Sequence, residues 1–64
     1  MIELILENYD NDKRLPFQLP IVPRIGDWIC IDHEDEFTEG ENPMIVKYVL
    51  LSPNEIIVVV TATD

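Results

Sequence analysis

The amino-acid sequence predicts an all-β fold, a small five-stranded and mainly antiparallel barrel. Three observations carry that expectation. Apolar and polar residues alternate with a period of two in several short runs, the mark of strands with one buried face. Turn formers separate those runs, and no window sustains a helical period. The chain has 64 residues, enough for one domain, so residues 1–64 are read as a single unit whose strands limit their open edges by closing.

In chain order, Ile2, Leu4 and Leu6 alternate with Glu3, Ile5 and Glu7, which predicts a strand over 2–7. Asn8 to Lys13 is a dense set of turn formers. A return strand is expected over Arg14–Leu19, with Leu15, Phe17 and Leu19 on one face. Pro16 cannot donate to a ladder, so this strand belongs at an edge or carries a bulge. From Leu19 to Asp27 the chain cannot be helical, because Pro20 and Pro23 force extended predecessors and Gly26 suits a positive φ. Trp28–Asp32 alternates again, Ile29 and Ile31 against Trp28 and Cys30. His33 to Pro43 is polar and acidic and reads as a loop or a long hairpin tip. Met44–Leu51 and Glu55–Thr63, rich in β-branched residues, are the strongest strands, and Ser52-Pro53-Asn54 joins them as a hairpin. The alternation places Ile2, Leu4, Leu6, Phe17, Ile29, Ile31, Val46, Ile56, Val58 and Val60 inward.

Composition narrows the functions. Thirteen acids against four basic residues give a net charge of −9, a field that repels nucleic-acid phosphates and anionic membranes alike. At 47% hydrophobic residues the chain is too apolar for disorder. Cys30 is the single cysteine, so no disulfide staples the chain, and a lone thiol fits a reducing, cytoplasmic setting. The first residues carry acids and lack the positive start of a secretory signal. No apolar run reaches the roughly 18 residues that span a bilayer.

The run Pro23-Arg24-Ile25-Gly26-Asp27-Trp28-Ile29-Cys30-Ile31 resembles the Pro-x-x-Gly-Asp-x-Val-x-Val lead-in to a strand in SH3-like barrels, KOW-type modules among them. In those families the glycine turns the chain, the aspartate holds the turn and the aliphatics enter the core. The wider pattern, Leu19-Pro20 through Gly26-Asp27 and then two aliphatic strands, also looks like that of short bacterial and phage proteins. The resemblance implies an SH3-like barrel without implying an activity. RNA-binding KOW modules are basic, and this acidic chain departs from them.

Candidate chemistry is sparse. Cys30 and His33 lie three apart at a strand end, on opposite faces if the strand continues, which suits a small thiol and a loop imidazole better than a nucleophile and its base. Structural zinc needs about four such ligands, and the chain has two. Asp32 to Glu41 holds six carboxylates without the spacing of a calcium loop, so it reads as a solvated loop. No metal or other cofactor is expected, and no catalytic set is recognised. Trp28, Phe37 and Tyr48, with Glu34, Asp35 and Glu36 between the first two, are the candidate residues for gripping a partner. Ile56 to Val60 is an unbroken apolar run. If Ile57 and Val59 face outward beside Ile45 and Val49, they form a patch whose cover would be a second copy.

The expected function is accordingly a non-enzymatic protein-interaction module, of the kind a phage or mobile element carries as an accessory, with an unidentified protein partner. A homodimer is expected, and direct binding to nucleic acid or membrane is not. The alternative is an acidic inhibitor that imitates nucleic acid and occupies a basic groove. A hydrolase or metalloprotein is the remaining and weakest option.

Overall fold

A computed structural model describes residues 1–63. The alternating runs form the strands that the sequence implies: β1 (Ile2–Asn8), β2 (Arg14–Leu19), β3 (Trp28–Ile29), β4 (Met44–Leu51) and β5 (Ile56–Ala62). They make one sheet in the order β2-β1-β5-β4-β3, curled into a half-barrel. The fold class is all-β, as expected. The expected mainly antiparallel barrel is met in part: the sheet is mixed and reaches a half-barrel, with β1 parallel to β5 and the other three pairings antiparallel. Two local hairpins, β1–β2 and β4–β5, therefore sit side by side with their first and last strands in contact. Pro16 lies in β2 at the sheet edge, where a missing N–H costs no ladder bond.

The concave face carries the core. Leu4 and Leu6 of β1, Val58 and Val60 of β5, and Met44 and Val46 of β4 are buried, with Ile29 and Ile31 closing one side. Phe17 and Ile56 pack against them half-buried, and so do Leu15, Leu19 and Val49. Ile2, expected in the core, is half-buried opposite Leu19 and lies outside the buried cluster.

Two corrections concern β3 and the acidic stretch. β3 covers two residues rather than the five expected over 28–32, and Asn42 replaces the missing ladder: its side chain accepts from the Ile31 N–H and donates to the Ile31 carbonyl, both at 3.0 Å. Within the expected loop, Asp35–Thr38 forms one helical turn, α1. Phe37 on that turn is 3% exposed, so it belongs to the core and not to an interaction surface. Among the described residues no helix is long and apolar enough to cross a membrane.

Candidate functional site

The turn from Pro23 to Asp27 sets the position of Trp28. The Asp27 carboxylate accepts from the Arg24 N–H at 2.8 Å, and the Asp27 N–H donates to the Arg24 carbonyl at 3.0 Å. Gly26 holds φ at +93°, a conformation that a side chain disfavours although space around the position is open. The turn docks on β4 through two bonds to Val46: Gly26 donates to its carbonyl and Asp27 accepts from its N–H. Trp28 then pairs with Ile45 on the convex face of the sheet and remains 67% exposed.

A bulge at Lys47 brings Tyr48 to the same face. Val46 pairs with Val60 and Tyr48 with Val59, so β4 contains one residue more than β5 between these two pairs. Tyr48 and Leu50 consequently face outward, Leu50 beside Ile57 and Ile57 beside Ile5. The convex face thus gathers Trp28, Ile45, Tyr48, Leu50, Ile57 and Ile5, with Trp28, Tyr48 and Leu50 exposed and the other three half-buried.

The same bulge rearranges the patch expected from Ile45, Val49, Ile57 and Val59. Val49 turns to the concave side opposite Val58 and packs on the core. Val59 stays on the convex side yet is fully buried. Glu7 and Tyr48 flank it in the register, and the Lys47 ammonium lies 4.6 Å from the centroid of the Tyr9 ring, bridging β5 from β4 to the end of β1. Ile45 and Ile57 remain outward and half-buried.

Glu34, Asp35 and Glu36 lie elsewhere. Asn8, itself buried, donates to the Phe37 carbonyl at 2.6 Å, and Asn11 donates to the same oxygen at 3.2 Å and to the Glu39 carboxylate at 2.6 Å. Lys13 Nζ donates to the Glu36 carbonyl at 3.3 Å. The acidic stretch is therefore tied to the β1–β2 turn, which adds Asp10 and Asp12 to its carboxylates. Glu34, Asp35 and Glu36 are exposed there, away from Trp28. Cys30 and His33 are both exposed, and no hydrogen bond joins them among the described residues. No set of three or more His, Cys, Asp or Glu side chains gathers as a metal would require, again among the described residues.

A scan against family models finds no match for this chain, and searches of curated proteins and of solved structures find none.

Proposed function

We propose that the chain is a non-enzymatic, cytoplasmic interaction module that binds a protein partner through the convex face of its sheet. The observation that carries this reading is Trp28, two-thirds exposed in a row with Ile45, Tyr48 and Leu50. Exposed Trp and Tyr rooted in an apolar surface supply much of the binding energy at protein interfaces. The finer architectural reading, an SH3-like barrel, is supported by the Pro23–Ile31 motif, in which Asp27 holds the turn through the Arg24 amide.

A second reading draws on a different observation. The contacts of Asn8 and Asn11 join two acidic turns into one surface, broader than a single loop would present. That spread favours an acidic mimic of nucleic acid bound by a basic groove. Affinity capture from the host at about 50 and 500 mM salt separates the two, because screening releases charge pairs and spares apolar contact. The convex-face reading expects a partner retained at high salt and lost with Trp28→Glu. A partner released by salt and by the triple change Glu34→Gln, Asp35→Asn, Glu36→Gln, but indifferent to Trp28→Glu, would replace it with the mimic.

A further inference from the structure

The chain keeps its acids away from one edge of its sheet. Residues 14–26 and 42–54 contain no Asp or Glu, although the whole chain has thirteen. Residues 22–26 of the first stretch meet Val46 to Leu51 of the second along the outer side of β4. Val46 is the last β4 residue with a backbone partner on that side, through its two bonds to the Gly26–Asp27 turn. From Lys47 to Leu51 the strand pairs with β5 alone. Next to this open edge lies a groove of about 480 Å³ lined by Val22, Pro23, Arg24, Ile25, Val49 and Leu51. Ile25 and Leu51 are 72% and 74% exposed. The opposite edge of the sheet differs: β2 shows Pro16 between exposed Arg14 and Gln18, features that discourage strand addition.

Which peptide groups face the open edge follows from alternation. The Val60 carbonyl accepts from the Tyr9 N–H, so Val60 turns its peptide groups toward β1. Val58, two residues earlier, does the same, and Val49 opposite it turns its own N–H and C=O outward.

We infer that this edge pairs with the same edge of a second copy, β4 antiparallel to β4 about a two-fold axis through Val49. Each Val49 N–H donates to the Val49 carbonyl across the axis. On the convex side Tyr48 of each copy meets Leu50 of the other, the reciprocal pairing that an isologous contact requires, while Lys47 lies opposite Leu51 at both ends of the paired segment. Ile25, Leu51 and the groove extend the contact beyond the strands. A stable interface takes about 800 Å² from each partner, and the chain exposes 4394 Å² in all. This side, with Ile25, Tyr48, Leu50 and Leu51 exposed on it and Asp27 at its end held by the Arg24 N–H, is where this acidic chain can supply that area with the fewest opposing carboxylates. The occupant is a second copy because the edge is self-complementary about its midpoint and because a chain this small, with no disulfide, gains most from an added subunit. The contact shares Tyr48 and Leu50 with the convex-face reading but not Trp28, so Trp28→Glu, which should abolish partner capture and leave the dimer intact, makes the two failures distinguishable.

Sedimentation equilibrium of the full chain between about 10 and 500 µM tests this, in about 20, 150 and 500 mM salt. A dimer is expected whose association tightens at least about tenfold over that range, as screening relieves repulsion between two chains of charge −9. The double change Ile25→Lys, Leu51→Lys should give a monomer with an unaltered circular dichroism spectrum. In a Cys30→Ser background, Val49→Cys should oxidise to a covalent dimer, whereas Glu55→Cys should not. A monomer at the highest concentration and salt overturns the inference. So does a dimer that survives the double change, or one in which Val49→Cys fails to cross-link.

Discussion

Asn8 ends β1 with its side chain buried among apolar neighbours, a placement that is costly unless every polar atom finds a partner. Its amide nitrogen donates to the Phe37 carbonyl, and its amide oxygen accepts from the Asp10 N–H at 2.9 Å. One residue thus shapes the β1–β2 turn and anchors the acidic stretch. Asn8→Ala strips buried groups of their bonds and should lower stability by about 2 kcal/mol, measured by urea unfolding. Asn11→Ala, at a less buried position with the Phe37 carbonyl still served by Asn8, should cost under about 1 kcal/mol; equal losses for the two would contradict the assignment. Gly26 offers a complementary case, in which conformation rather than space is limiting. Gly26→Ala should destabilise by about 1–2 kcal/mol through its left-handed φ, and a neutral result would mean that the turn relaxes.

At the level of the element, β4 shows where reading the sequence succeeds and where it stops. Its bounds, and those of β2, match the alternation to the residue. The faces do not, because the inserted Lys47 exchanges inside and outside for every residue after it. Nothing in Met44–Leu51 marks that bulge, since apolar residues stand on both sides of it. Counting by twos from Val46 sends Tyr48 inward and Val49 outward, the reverse of what is found. Deleting Lys47 should remove the extra residue and leave the faces as they are, Tyr48 outward opposite Val59 and Val49 inward opposite Val58, at the loss of the ammonium beside the Tyr9 ring. A loss of under about 1 kcal/mol is expected, the size of an exposed cation–π contact, and a loss above about 2 kcal/mol in urea unfolding, as mismatched core volumes would give, would show that the faces had exchanged. The α1 turn was illegible for another reason. Five acids among residues 32–39 dominate the composition, yet Phe37 within them is large and apolar, and such a side chain seeks burial wherever the chain can bend. That was the available signal. Phe37→Ala should cost at least about 3 kcal/mol, comparable with the whole stability of so small a domain, and thermal unfolding would record it.

For the molecule as a whole, charge is sorted by location. The acids of residues 7–12 and 32–41 share one region, while the open edge of β4 has none. Arg14 offsets Glu7 at 2.7 Å, but such an exposed pair contributes little. Crowded carboxylates oppose compaction, so the melting temperature of the monomeric Ile25→Lys, Leu51→Lys chain should rise as salt increases from about 20 to 500 mM. A flat response in calorimetry would mean that the acids are too far apart to repel. The central seam was the least legible feature at this scale, since adjacency in sequence suggests hairpins and says nothing about which strand of each hairpin meets the other. That seam also orders events in time. Ile5 meets Ile57 across it, whereas the partners within each hairpin lie much closer along the chain. Contacts of long sequence separation form late because closing the intervening segment costs entropy first. The two hairpins are then expected to form first, each with a bare flank, and their meeting in parallel register is expected to limit the rate of folding.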